Sequence, residues 1–385
     1  MNQVKKMIAE SFNEIADGIK SGSFKERLKI GLTLYGSEHG INEMIKAAKL
    51  AKSKYGDFDI VLIGPKVDCG FENAEVNDAK DGHDKMVELL EKGEIDGCVT
   101  QHFDFPIGVS TVGKLIAPAN GKEVIIATTT GTTSTNRVEG MIRNSISGIA
   151  VAKSAGIVNP TVGILNIDGA RKVERALREL QSNGYEIKFA ESLRKDGGAV
   201  MRGNDILAGT PDVMVCDSLT GNLLIKIFSA YTTGGNYEVL GYGYGPGIGE
   251  DYDKLINIVS RASGAPLICE ALKYCSVCAE GKVLKLAGDE FKKAQKAGLC
   301  DILKNTIERE KQTSSNKEEV KVPPKTVVTY AIPGIDILEL DDACNALWKQ
   351  NIYCESGMGC TGPVILVADD KSENAIKVLE GEGYK

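Results

Sequence analysis

The chain predicts an α/β protein: a largely parallel sheet with helices on both faces, followed by a small C-terminal α+β module. Three observations carry this. Short apolar runs alternate with helical periodicity from residue 28 to residue 308, the pattern of a parallel sheet covered on both sides. The polar run 309–325 ends in Pro323-Pro324, a linker by composition. Residues 326–385 then repeat the strand–helix pattern on a smaller scale.

In order, residues 1–27 form an amphipathic helix, with Val4, Met7, Ile8, Phe12, Ile15 and Ile19 at helical spacing. Strands are expected at 29–34 and 60–64, with a helix at 42–53 between them. A helix at 85–92, a strand at 97–100, a helix at 112–119 and a strand at 123–127 follow. Next come a helix at 142–155, a strand at 161–166 and a helix at 171–182. Strands at 187–189 and 212–216 and a helix at 222–230 come before a long helical region over 252–310. The module is expected to hold a strand at 327–331, a helix at 342–350, a glycine turn around Cys360, a strand at 364–368 and a helix at 373–380.

A length of 385 residues exceeds one typical domain. Hydrophobic content of 42% and charge of 26% suit a soluble globular protein. A net charge of −7 argues against a nucleic-acid or anionic-membrane binder. There is no 18-residue apolar run and no signal-like N-terminal core, so a cytoplasmic protein without membrane spans is expected. Ten scattered cysteines read as reduced thiols. Cys275 and Cys278 have metal spacing, but there is no second such pair. His39, His83 and His102 lie far upstream, so no metal is expected and the two cysteines are assigned to a half-buried helix.

Chemistry concentrates in Cys354-Glu355-Ser356-Gly357-Met358-Gly359-Cys360-Thr361-Gly362-Pro363. Nothing bulky shields the Cys360 thiol. Gly357, Gly359 and Gly362 permit positive φ and close approach to the backbone. Consecutive N–H groups there, Thr361 included, can form a nest for developing negative charge. Access, oxyanion donors and a lowered thiol pKa are what a covalent thiol intermediate needs. The plain alternative is a buried, inert cysteine beside a tight turn. Cys354 is either a redox partner of Cys360 or an ordinary strand cysteine.

Three stretches are candidates for an anion. Gly108-Val109-Ser110-Thr111-Val112-Gly113-Lys114-Leu115 matches GxxxxGK but lacks the hydroxyl that a nucleotide's Mg²⁺ needs, leaving a phosphate-holding helix start. The loop at 128–136, with Thr130 and Thr132, follows a strand and is rich in hydroxyls, where open α/β sheets bind ligands. Residues 241–249 alternate glycine strictly, so they fail the dinucleotide spacing and read as a flexible flap or a plain glycine-rich connection.

Two segments carry a resemblance. Pro160 to Gly169, with Leu165-Asn166-Ile167 at its centre, and Asp217-Ser218-Leu219-Thr220-Gly221-Asn222 after a strand resemble the phosphate acyltransferases of phospholipid synthesis. That resemblance implies an α/β/α sandwich of the isopropylmalate-dehydrogenase type and acyl transfer to inorganic phosphate. It makes Asn166, Arg171, Lys172, Asp217, Thr220, Gly221 and Asn222 candidates for phosphate or substrate binding. On physics alone, Asp217 caps a helix and sets a carboxylate, a hydroxyl and an amide at its N-terminus.

The linker and the Cys360 motif depart from those enzymes. With them, the whole chain resembles the alpha subunits of component C of glycine/sarcosine/betaine reductase complexes. That resemblance implies a beta-subunit partner in a hetero-oligomer and a carboxymethyl-selenoprotein donor, component A. It further implies an acetyl thioester on Cys360, and attack by inorganic phosphate to give acetyl phosphate with no further cofactor. His39 and His102, after expected strands, are either general bases or structural histidines.

Overall fold

The computed structural model describes residues 27–195, 197–315, 320–359 and 362–385, together with positions 8, 11–13, 15, 16, 18 and 19. Those early positions are helical, and Ile8, Phe12, Ile15 and Ile19 are exposed; Val4 and Met7 of the expected apolar face lie outside the described residues.

The first half runs β1 (Lys29–Thr33), α1 (Ile41–Lys54), β2 (Asp59–Gly64), β3 (Glu72–Glu75), α2 (Ala79–Glu91) and β4 (Gly97–Thr100). Next are β5 (Val109–Ile116), β6 (Glu123–Thr132), α3 (Arg137–Ser154), β7 (Thr161–Leu165) and α4 (Ala170–Ser182). They are followed by β8 (Lys188–Phe189), β9 (Val200–Met201), α5 (Gly203–Leu207), β10 (Val213–Val215) and α6 (Ser218–Ala230). The body closes with β11 (Gly245–Ile248), β12 (Ile256–Ile258), α7 (Ala265–Glu280), α8 (Val283–Lys296) and α9 (Leu299–Ser315). The module comprises β13 (Tyr330–Pro333), α10 (Leu340–Lys349), β14 (Cys354–Gly359), β15 (Gly362–Val367) and α11 (Ser372–Gly381).

The body is one 12-stranded sheet in the order β3-β2-β1-β4-β12-β11-β5-β6-β10-β7-β8, with β9 beside β7. Apolar side chains form two layers. One packs Met44, Met141, Val173, Leu267 and Phe291, from α1, α3, α4, α7 and α8, on one face. The other packs Met86, Ile206 and Ile225, from α2, α5 and α6, on the opposite face. Each such buried aliphatic contributes about 1.5–3 kcal/mol. The expected α/β class with helices on both faces is what the chain adopts.

Strand direction positions the site. β11 pairs antiparallel with both β12 and β5, and β5 pairs antiparallel with β6. β1, β2, β4 and β12 therefore run one way, while β6, β7 and β10 run the other. The carboxyl ends of the two sets lie at opposite edges of the sheet.

Several expectations are corrected. Residues 112–119 are not a helix: β5 fills 109–116 and is buried along nearly its whole length. Burial on both faces erases the period-2 signal that would have marked a strand. The GxxxxGK stretch is thus a strand. Its Lys114 ammonium is 2.8 Å from Glu123 and 3.7 Å from the centre of the Tyr242 ring, not at a helix start. The flap at 241–249 is instead the buried central strand β11 and its approach. A Cβ on Gly245 would sit 1.9 Å from the Val112 carbonyl oxygen, so the glycines serve close strand contact. The helical region from 252 is broken by β12, and β6 continues through Thr132, which shortens the hydroxyl loop. α9 runs to Ser315, into the expected linker. Cys275 and Cys278 lie in the partly buried helix α7, as expected, and are themselves fully buried.

Candidate active site

β6, β10 and β7 are adjacent and parallel, so the N-termini of α3, α6 and α4 gather at one sheet edge, where open α/β sheets place ligands. Asn136 caps α3, its side-chain oxygen accepting from the Glu139 N–H at 2.8 Å. Asp217 caps α6, accepting from the Thr220 N–H at 2.8 Å and the Thr220 hydroxyl at 3.0 Å. Arg137 donates to Asp217 through Nη2 at 2.6 Å and Nε at 3.2 Å, and its Nη1 lies 3.6 Å from Asp168. One guanidinium thus ties three strand-end loops together. Burial would raise the Asp217 carboxyl, but the Thr220 N–H and the Arg137 charge outweigh it and hold it below the usual range. The Arg137 link escapes sequence reasoning, although a cation in a helix's first turn is itself an anomaly that asks for a partner.

Gly221 is where α6 meets β6: a Cβ there would lie 1.7 Å from the Thr128 carbonyl oxygen. Asn222 points elsewhere. It reaches Tyr244, whose phenol burial pushes up while Lys226 and Asn222 draw it back. Lys226 in turn donates to Glu238 at 2.5 Å and Ser260 at 2.6 Å.

The β7–α4 turn meets the module. Asn166, Asp168, Ala170 and Arg171 line a cavity of about 220 Å³ with Gly334, Ile335, Asp336, Ile337 and Pro363. The N-cap of α4 is Gly169, at φ 86° and without a side-chain cap. The first-turn N–H groups there consequently lack the side-chain acceptor that commonly fills the role, the usual condition for anion binding. Pro363 stands three positions after Cys360 in the sequence. Cys360 and Thr361 lie outside the described residues. Gly357 and Gly359 belong to β14 and Gly362 opens β15, with Gly359 paired to Gly362.

The expected phosphate ligands are already engaged. Arg171 Nη1 is 3.0 Å from Glu174. Lys172 is 8% exposed, with Nζ 3.7 Å from Glu339 of the module. The Thr130 hydroxyl shares a 2.8 Å hydrogen bond with Thr111, while Thr132 is exposed at the strand end. His39, 3.2 Å from the Ala262 carbonyl, and His102, 3.1 Å from Asp104, follow β1 and β4. They therefore stand at the opposite sheet edge. Cys354 is buried against the Cys344 carbonyl at 3.8 Å, and Cys344 together with burial pushes its thiol up. The Cys278 thiol is pushed up to about 12 by burial. Among the described residues, no group of three His, Cys, Asp or Glu side chains is placed to hold a metal, and no helix is long and apolar enough to cross a membrane.

The model of the fatty acid synthesis protein family matches residues 28–366. The alpha subunit of glycine/sarcosine/betaine reductase complex component C from Peptoclostridium acidaminophilum is 56% identical over 383 residues, covering 100% of this chain and 99% of that one. A phosphate acyltransferase from Thermotoga petrophila is 28% identical over 235 residues, 52% of this chain and 67% of the relative. A solved structure of a putative 4-hydroxythreonine-4-phosphate dehydrogenase from Salmonella typhimurium overlaps at TM-score 0.39 and 11% identity, over 65% of this chain and 99% of that one. The chain belongs to the fatty acid synthesis protein family and, within it, to the alpha subunits of component C of glycine/sarcosine/betaine reductase complexes, which are related to phosphate acyltransferases.

Proposed function

We propose that the chain carries an acetyl group as a thioester on Cys360 and passes it to inorganic phosphate, releasing acetyl phosphate. A carboxymethyl-selenoprotein, component A, supplies the two-carbon group: its C–Se bond breaks as a thiol of the same donor forms an Se–S bond, giving the two electrons that convert the CH2 to CH3, and the carboxyl loses water as its carbon joins the Cys360 sulfur. A component C beta subunit is the standing partner in a cytoplasmic hetero-oligomer. Phosphate is a co-substrate, and no other cofactor enters. In the discharge step a phosphate oxygen forms a bond to the thioester carbonyl carbon, the C–S bond breaks, and the Cys360 sulfur leaves as thiolate. Backbone N–H groups around Gly357, Gly359, Thr361 and Gly362 stabilise the oxyanion.

The observation that carries this reading is the cavity in which Asn166 and Arg171 of the body face Pro363 of the Cys-bearing module. The uncapped start of α4 supplies N–H donors for phosphate there. Arg171 contributes by exchanging Glu174 for the incoming anion, and Lys172 adds its positive charge while still facing Glu339. Asp217, Thr220 and Arg137 order the same edge, Gly221 lets α6 approach it, and Thr130 and Thr132 are outer contacts, while Asn222, turned to Tyr244, takes no part. Assembly is supported by an apolar stripe on α6, where Leu219, Leu223 and Ile227 are exposed at 80%, 58% and 50%.

Incorporation of labelled inorganic phosphate into acetyl phosphate tests the reading. The chain catalyses it, Cys360→Ser abolishes it, and Arg171→Met raises the KM for phosphate about tenfold, or ~1.4 kcal/mol. Undiminished exchange in Cys360→Ser overturns it. A second reading, direct transfer from an acyl-carrier-protein or coenzyme A thioester, is favoured by one feature: the Arg137–Asp217–Thr220 arrangement lies wholly within the body. Activity that survives iodoacetamide selects that reading. A chain that exchanges nothing alone or in its complex is a scaffold.

A further inference from the structure

Among the described residues, the body and the module do not share a core. Ile332, Ile335, Leu347, Ile365, Val367 and Leu379 pack together within the module, and no described body residue joins that cluster. Neither of the body's two apolar layers takes in a described module residue. Charge joins the units beside the cavity walls. Glu339, at the end of the turn Ile337–Glu339, accepts from Arg175 Nη2 on both carboxylate oxygens, at 2.9 and 2.7 Å. The Lys172 ammonium stands 3.7 Å from the same carboxylate. Lys172 and Glu339 are each 8% exposed, and the Arg175 side chain is 30% exposed, so the cluster is buried on the Glu339 and Lys172 side and reaches solvent through Arg175.

Such a cluster is suited to setting register. A buried ion pair adds little net adhesion over apolar packing, yet it penalises every arrangement that leaves one member unpaired. Lys172 and Arg175 lie in the first and second turns of α4, and Glu339 lies just after the cavity wall 334–337. The same contact that seats the module therefore closes the cavity. Lys325 is held to the module through Glu355 at 3.1 Å.

We infer that Glu339, gripped by Arg175 and Lys172, is a positioning latch: it seats the module on α4 in the one register that completes the phosphate cavity, and its release frees the module as an intact unit. This deepens the reading of Cys360 as acyl carrier and rests on it. Discharge to phosphate needs the seated state, whereas the chemical reactivity of the thiol does not.

Hydrogen–deuterium exchange on the full chain, compared with Glu339→Gln and Arg175→Met, tests the latch. Both variants are expected to raise exchange over 170–175 and 334–340 while leaving the cores around Ile365 and Met141 unchanged. Both also slow labelled-phosphate exchange at least tenfold, with alkylation of Cys360 by iodoacetamide kept within about twofold of wild type. Unchanged exchange at the two surfaces overturns the latch. So does an effect confined to Glu339→Gln, which would place its action inside the module, or alkylation that falls in step with phosphate exchange. Failure of the underlying reading is separate: the wild-type chain itself would then show no phosphate exchange.

Discussion

Arg137 stands where a helix disfavours a cation, in the first turn of α3, and its two carboxylate partners account for it. Because Asp217 is held below its ordinary range in the folded protein, the stability it contributes is present above the usual carboxylate pKa and is lost as pH falls through the depressed value. Asp217→Asn keeps the cap but removes the charge. It is expected to cost about 1 kcal/mol at pH 7, with the cost shrinking steadily as pH falls below the usual carboxylate range, read from urea midpoints; a cost independent of pH contradicts this. Arg137 is nearly half exposed, so Arg137→Met costs only about 0.5–1 kcal/mol of stability. Gly221→Ala, with backbone in its way at 1.7 Å, is expected to cost 3 kcal/mol or more, at the top of the overpacking range, in the same assay. Asp217 and Thr220 were legible in the sequence because a cap is local, three residues from carboxylate to N–H. Arg137 was not, because its partner lies 80 residues away and no periodicity marks it.

Among the elements, those bounded by local signals were readable: β1, β2, β7 and β10, with α1, α4 and α11, fall within a few residues of their expected positions. Those defined by tertiary contact were not. β5 reads as helical because it is buried on both faces, and β11 reads as a loop because its glycines answer neighbouring backbone. α4 has an uncapped start whose Gly169 sits at φ 86°, with a would-be Cβ 2.8 Å from Val138. Gly169→Ala is expected to cost about 1–2 kcal/mol and to weaken phosphate binding by moving the helix start. A circular-dichroism melt with and without phosphate measures both effects, and equal phosphate stabilisation of the variant and wild type contradicts a site at that helix end.

At the scale of the molecule, separate cores predict separate unfolding. Trp348, the single tryptophan, belongs to the module, so its emission follows the module while far-ultraviolet dichroism follows mainly the body. The two probes are expected to give distinct urea transitions, separated further by Glu339→Gln; one coincident transition in both proteins contradicts independent units. The module was legible from its composition break and its own strand–helix pattern. Its seat on the body was not, since nothing local ties Glu339 to Arg175, 164 residues away. The reactivity of Cys360 is a chemical expectation from its glycine setting; where its module meets the body was not legible, and the described residues bring Pro363 to the cavity with Asn166 and Arg171.

An acyl group on Cys360 can be detected by peptide mass spectrometry of the chain after incubation with acetyl phosphate. One acetyl group is expected on the Cys360 peptide, removed by adding phosphate or arsenate and missing from Cys360→Ser. An unlabelled Cys360 peptide from a chain that still exchanges phosphate would contradict it and return the chemistry to the body alone.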